Sequence, residues 1–367
     1  MTPHAAIIGA GPAGAICAWS LARRGWRVTL LERAPFPRVK VCGEFVTPAA
    51  TDILEDILPE AALLDAGARR IRRVELFAAG RARQWQMPAP AWALSRASLD
   101  TLLLAQAARA GASVLSPAGV RDVEYAQDAI TLRLADGATL AAEIIIHADG
   151  SGRFDPAGAL APAPGLVGMK CHLNLPPQGD LLTMRAAPGA YIGTVSVEGG
   201  LSTCALVARK SLVHAAGGDG DQLLATLWPD FRPAWRQGDW KASSVPRGPY
   251  RTPGHPRSFR IGNAAAAVDP VGGEGIGLAL WSGHTLGALL ANSEPTAASL
   301  ARVQLAIAAA YHRRLRVRRL GCRLIAEIMM RPRLAGLLWP VAASPEISLR
   351  VWYGATGKSL ATSAKQL

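Results

Sequence analysis

From residue 5 the chain opens on an unbroken apolar run, Ala5-Ala6-Ile7-Ile8, which reads as a strand buried on both faces. A glycine-rich turn follows, Gly9-Ala10-Gly11-Pro12-Ala13-Gly14, and apolar positions then take helical spacing from Ala15 to Arg24, with Gly25 as the stop. The next apolar run, Arg27-Val28-Thr29-Leu30-Leu31, predicts a strand ending at Glu32. Beyond a turn-rich piece at Ala34-Pro35-Phe36-Pro37, the pattern predicts helices over 48–57 and 97–110, the second stopped by Gly111. Alternating apolar and polar positions mark strands across 121–146, with a hairpin turn at Asp136-Gly137. Residues 165–250 read mostly as strands and loops, and after Asp269 the pattern is helical to the end.

Composition narrows the class. Half of the 367 residues are hydrophobic and 18% are charged, which excludes a disordered chain and a collagen-like repeat. At roughly 150 residues per domain, the length suits two domains or one large one. The five cysteines (17, 42, 171, 204 and 322) form an odd set without C-x-x-C spacing, so a reducing, cytoplasmic setting is expected rather than a zinc ribbon or a secreted framework. No His pair at i, i+4 carries an acidic partner, and no metal site is expected. His284 and Pro340 break the longest apolar stretches before they reach the ~18 residues of a membrane span, and no signal peptide is expected ahead of Ala5. The net charge of +13 points to an acidic partner, an anionic membrane surface or an anionic substrate. Nucleic acid is not expected, because the basic residues before 300 are scattered and no recognition motif accompanies them.

The first turn carries the clearest chemistry. In strand–G-x-G-x-x-G–helix order, Gly9 allows the tight turn, Gly11 lets backbone N–H groups approach a pyrophosphate, and Gly14 lets helix and strand pack closely. The helix N-terminus, at Pro12 and Ala13, offers free N–H groups and partial positive charge to phosphates. Glu32, 23 positions beyond Gly9, is placed to accept hydrogen bonds from a ribose. This is a dinucleotide site.

Three further segments occur in order: Leu94-Ser95-Arg96-Ala97-Ser98-Leu99-Asp100, Ala148-Asp149-Gly150-Ser151-Gly152-Arg153, and Arg260-Ile261-Gly262-Asn263-Ala264-Ala265 with Asp269-Pro270-Val271-Gly272-Gly273-Glu274-Gly275-Ile276-Gly277. With the first motif they resemble the FAD-dependent oxidoreductases of p-hydroxybenzoate-hydroxylase-like fold, over residues 5 to about 335. The resemblance implies FAD as the bound cofactor and NAD(P)H as reductant, without a second nucleotide domain. It implies cofactor contacts from Gly9, Gly11, Pro12, Ala13, Gly14, Glu32, Arg33, Arg96, Val120, Asp149, Gly150, Gly262, Asn263, Asp269, Gly273, Gly275, Ile276 and Gly277. The family usually has Asp where Asn263 stands; Asn keeps the hydrogen bonding and loses the charge. Lys40-Val41-Cys42-Gly43-Glu44 resembles the loop of the geranylgeranyl-reductase-like branch that passes close to the flavin ring, which adds Lys40, Cys42 and Gly43. The aromatic strand of that branch is missing, its nearest counterpart being Tyr191-Ile192-Gly193-Thr194-Val195, and so is the Trp-x-Trp-x-Ile-Pro segment of the halogenases. No catalytic base is evident.

The expected class is α/β: a Rossmann-like FAD-binding domain from 1–75, 95–160 and 255–295, an inserted mixed-sheet substrate domain from 76–94 and 161–254, and a helical C-terminal segment, 296–367. The expected function is an FAD-dependent oxidoreductase, first an NAD(P)H-dependent monooxygenase hydroxylating a small apolar aromatic or polyketide-like molecule. Saturation of isoprenoid double bonds is the alternative, and a non-catalytic flavin-binding protein the weaker one. In the Arg-rich stretch 311–333, helical spacing puts Leu315, Leu320, Leu324 and Ile328 on one face and the Arg groups elsewhere. Such a helix either packs on the domain or docks on an acidic carrier protein or an anionic membrane surface, which would make the protein peripheral at the inner membrane.

Overall fold

The computed structural model describes residues 2–126, 129–150 and 152–339. In chain order its first half comprises β1 (His4–Ile8), α1 (Pro12–Ala22), β2 (Arg27–Leu31), β3 (Phe45–Val46), α2 (Thr51–Ile57), α3 (Glu60–Asp65), β4 (Arg69–Ala78), β5 (Arg81–Ala93), α4 (Arg96–Arg109), β6 (Ser113–Leu115), β7 (Val120–Tyr125), β8 (Ile130–Leu134), β9 (Thr139–Ala142) and β10 (Ile144–His147). There follow β11 (Pro162–Leu173), β12 (Leu181–Ala187), β13 (Ala190–Ser196), β14 (Ser202–Arg209), α5 (Lys210–Ala215), α6 (Gly220–Leu227), β15 (Arg236–Pro246), β16 (Ser258–Arg260), α7 (Glu274–Ala291), α8 (Ala297–Met329) and α9 (Pro332–Leu337).

Strands β16, β10, β1, β2 and β6 form a parallel sheet in that order. All five residues of β1 are buried, as a strand covered on both faces requires. Helix α1 begins three residues before the predicted start because Pro12, with φ already set, opens its first turn. Strands β7, β8 and β9 add a small antiparallel sheet to this unit.

The second sheet has eight strands, ordered β15-β11-β14-β13-β12-β4-β5-β3, with only β12 and β4 parallel. Residues 69–75, assigned from sequence to the nucleotide unit, lie in β4 of this sheet. Phe45 and Val46 join it too, through β5, so the 40–46 segment crosses from one unit to the other. The stretch read as strands and loops also holds α5 and α6, which cover the far face of the sheet with Leu223, Leu224 and Trp228.

Helix α8 touches both units. Its first half packs Leu300, Val303, Ile307, Tyr311 and Leu315 into the core around α1 and the parallel sheet, and its second half packs Cys322, Ile325, Ala326 and Met329 against the second sheet. Here the sequence reading needs correction: Leu320 and Leu324 face outward, 75% and 62% exposed, while Arg318 is buried. The inward place goes to Arg318 because its guanidinium donates to Glu274 Oε2 (2.7 Å) at the start of α7, so the buried stripe runs Leu315, Arg318, Cys322, Ile325, Met329. The part of the predicted helical segment beyond 339 lies outside the described residues.

Candidate functional site

The first motif builds a cradle at the carboxyl end of β1. Gly9 has φ +101°, and a Cβ there would meet the Ala148 carbonyl oxygen at 2.6 Å; a Cβ on Gly14 would lie 1.9 Å from the Gly9 oxygen. Only glycine fits either place. Above Gly11 the situation differs, since a Cβ would find only the terminal nitrogens of Arg38 and Arg96, each at 3.7 Å. Two guanidinium groups thus converge where the turn exposes its backbone, beside the start of α1 formed by Pro12 and Ala13.

Those cations are held in place. Arg96 makes a two-pronged bond to Asp100, Nε to Oδ1 at 2.6 Å and Nη2 to Oδ2 at 2.7 Å, within an α4 capped by Ser95. Burial works to lower Arg96, but Asp100 and the adjacent Cys42 thiol hold it above its ordinary range. Arg38 is shared between Glu32 (3.2 Å) and Asp100 (3.5 Å), and its Nε is buried without a hydrogen-bond partner. Burial lowers Arg38, and burial with the nearby Arg38 cation lowers Lys40. Such crowding of positive charge around an open backbone turn fits a pyrophosphate. Glu32, at the end of β2, accepts from the N–H groups of Ala10 (3.0 Å) and Ala34 (3.2 Å), which fixes its carboxylate at the ribose end. Arg33 is exposed beside it. Val120 starts β7 with its side chain in the apolar cluster of Ile8, Leu31 and Leu132, so only its backbone remains for a nucleotide. Neither Arg38 nor Asp100 was singled out from the sequence. The signal available was the Phe36-Pro37-Arg38 turn, which follows the acidic strand end by six residues.

A second group of predicted residues gathers where β10 and β16 end. Asp149 Oδ1 accepts from the Gly152 N–H (2.9 Å), with Gly150 at φ +80°; Ser151 lies outside the described residues. Gly262, at φ +57°, abuts Ala13, and Asn263 follows, half-buried. Asp269 caps the turn into the next helix through the Val271 N–H (3.0 Å), accepts from the Tyr191 hydroxyl (2.7 Å), and pairs with Arg247. Gly273 has φ +65° and ends that turn against Phe45. Helix α7 starts at Glu274, with Gly275 open to solvent, Ile276 in the core and Gly277 packed on Ala50. These residues line a surface running from the cradle to the second sheet, the shape an extended dinucleotide with a planar ring needs. FAD fits: when bound, it supplies hydride and electron transfer at its ring, and the residues just named would hold it.

At the ring end lies a cavity of roughly 410 Å³. Its near wall is Cys42, Gly43 and Pro270–Gly273; its sheet wall includes Leu182, Met184 and Tyr191; its far end is Leu324, Ile328 and Leu338 from α8 and beyond. Lys40 stays on the pyrophosphate side, with Arg38. Below Gly43, Glu44 is held at φ +55° and buried. Its carboxylate accepts from the Arg96 N–H (2.7 Å), from Lys170 Nζ and from Thr203 Oγ1, with His172 Nε2 at 2.9 Å. Burial alone would raise Glu44, yet His172 and Lys170 bring it down to about 2. Lys170, His172 and Thr203 come from β11 and β14, so the second sheet itself fixes the flavin-side loop. Nothing local in the sequence marks them, because their partner is more than 120 residues away.

Residues 2–153 match the FAD binding domain family. The N-terminal part of the chain is thus similar to FAD binding domains, and the whole chain shares its fold with flavin-dependent oxidoreductases of known structure. A menaquinone reductase of Mycolicibacterium smegmatis is 29% identical over 331 residues, 79% of this chain and 76% of that protein. Among solved structures, a geranylgeranyl bacteriochlorophyll reductase-like protein of Thermoplasma acidophilum superposes with TM-score 0.78 at 17% identity, covering 97% of this chain and 96% of the other. PqsL of Pseudomonas aeruginosa, in complex with 2-aminobenzoylacetate, superposes with TM-score 0.78 at 18% identity, covering 93% and 100%. At such identities these structures speak for the fold.

Proposed function

We propose that this flavoprotein is a reductase that uses NAD(P)H to saturate a carbon–carbon double bond in a long, apolar, lipid-like substrate. One observation carries the reading: the cavity beside Gly43 and Gly273 is walled mostly by Val, Leu, Ile and Met side chains, with Phe45 and Trp85 among them, and runs to the surface of α8. Such a wall selects by shape and desolvation and offers little to orient a polar molecule. Its phenol, Tyr191, has its hydroxyl committed to Asp269, and burial raises it well above its ordinary range. A general base for phenol activation is therefore not supplied by that side chain. The likeness to a menaquinone reductase over most of the chain supports the same substrate class.

In this reading the chain's residues bind and exclude. The aliphatic wall removes water from the double bond, and the Glu44 cluster holds Cys42 and Gly43 against one face of the space. Overall, NAD(P)H gives a hydride, solvent gives a proton, and both add across the double bond. The test is product mass after incubation with NADPH and a polyprenyl quinone under anaerobic conditions. A gain of two hydrogens is expected. A product carrying one added oxygen, formed only in air, would establish the hydroxylase reading in its place.

A further inference from the structure

The outer side of α8 carries an apolar stripe in its second half. Val317, Leu320 and Leu324 are 52%, 75% and 62% exposed, and Leu337 on α9 is 76% exposed. At 100° per residue Val317, Leu320 and Leu324 form one stripe, and Arg316, Arg323 and Arg319 flank it along one side. All three arginines are exposed, and the ion pairs of this stretch use Arg318 and Arg331 among the described residues. An exposed leucine stripe bordered by unneutralised arginines is the pattern of a helix lying in a lipid headgroup layer. Among the described residues no helix is long and apolar enough to cross a membrane. A second observation fixes the orientation. Leu324, Ile328 and Leu338 belong both to this face or its margin and to the far end of the cavity, so the apolar pocket opens at the same surface.

We propose that α8 and α9 form a docking face for an anionic membrane surface, with Val317, Leu320 and Leu337 entering the headgroup layer and Arg316, Arg319 and Arg323 engaging lipid phosphates. The cavity mouth then faces the acyl region, and an apolar substrate passes between bilayer and pocket without crossing water. The docking face stands on α8 and α9 alone; only the route for the substrate rests on the reductase reading.

The test is co-flotation of the FAD-loaded full chain with vesicles of phosphatidylglycerol and phosphatidylcholine, against phosphatidylcholine alone. Wild type is expected to float with the anionic vesicles and to dissociate as salt rises through the Debye-screening range. Since each basic side chain near an anionic surface adds about fivefold, reversing three of them (R316E/R319E/R323E) should weaken the partition by at least about 100-fold. V317E/L320E should weaken it by about tenfold or more on both vesicle types, because the apolar insertion is lost. Flavin absorbance and thermal midpoint check that each variant is folded, and none of these five positions lines the cavity. Equal flotation of wild type and both variants overturns the proposal. So does a stable dimer that buries Leu320 in the absence of lipid, or binding to an acidic carrier protein with no vesicle binding. Flotation as expected, with no reduction of a polyprenyl substrate, leaves the docking face standing and removes the reductase reading.

Discussion

Lys170 on β11 donates its ammonium to the carboxylate of Glu44, each side chain 1% exposed, where the flavin-side loop enters the second sheet. A buried pair of this kind adds little net stability when intact, but breaking it strands a charge. Glu44→Gln should therefore cost about 3–5 kcal/mol in urea denaturation. The double variant Glu44→Gln/Lys170→Met should recover much of that loss, since no cation is then left unpaired. Equal loss in the single and double variants would show that Glu44 acts through the Arg96 N–H and Thr203 rather than through Lys170.

The same carboxylate sets a pH dependence. Its folded value of about 2 lies below the unfolded 4.5, so the unfolded state takes up the proton first. The stabilisation is complete above about pH 5 and is lost as pH falls toward 2, amounting to about 3 kcal/mol at 1.36 kcal/mol per unit. Acid denaturation of wild type and Glu44→Gln should converge across that window and differ by a constant amount above it.

The two inner glycines of the first motif should separate binding from folding. Gly11→Ala meets only the ends of two arginine side chains at 3.7 Å, so the protein should fold and lose FAD, purifying colourless with a normal far-UV spectrum. Gly14→Ala meets a backbone oxygen at 1.9 Å and should yield little folded protein. A folded, yellow Gly11→Ala protein would remove the pyrophosphate from this turn.

Glu32→Ala takes the acceptor from the Ala10 N–H and one counter-charge from Arg38. A charged hydrogen bond lost at the ribose end is worth about 1.5–3 kcal/mol, so FAD affinity by fluorescence titration should fall by roughly 10- to 150-fold. The protein should remain soluble. Unchanged affinity would reduce Glu32 to a brace for the turn.

Much of the nucleotide unit was legible because its signals are local. The apolar run of β1, the glycine turn and the acidic end of β2 lie within 29 residues, and each constrains the backbone on its own. The class, with its second mixed sheet and helical C-terminal part, followed from the order of such segments. What escaped depended on distance. Arg38 and Asp100 acquire meaning only when α4 is laid beside the 33–40 turn, and Glu44 only when β11 and β14 are brought to it. The α8 face was misread in another way: at 100° per residue Leu320 and Leu324 stand about 140° and 180° around the helix from the buried Leu315, so they do not share its side. Arg318 does share it, and its partner Glu274 lies 44 positions upstream.

One helix packs into both cores, and this bears on which changes of chain length the fold tolerates. Across its 33 residues, Ala297 to Met329, α8 runs about 50 Å at 1.5 Å per residue, with the Gln304 amide in its first half clasping the carbonyls that lead into β16 and Met329 at its end under the second sheet. A single inserted residue anywhere between Tyr311 and Cys322 would turn everything beyond it by 100°. Arg318 or the cavity-facing Ile325 and Met329 would swing out, and the leucines of the outer stripe would swing in. Length variation in homologous chains should therefore collect in the hairpin at Gly137 and the turn at Gly217-Gly218, where an added side chain meets nothing, and should spare 300–329.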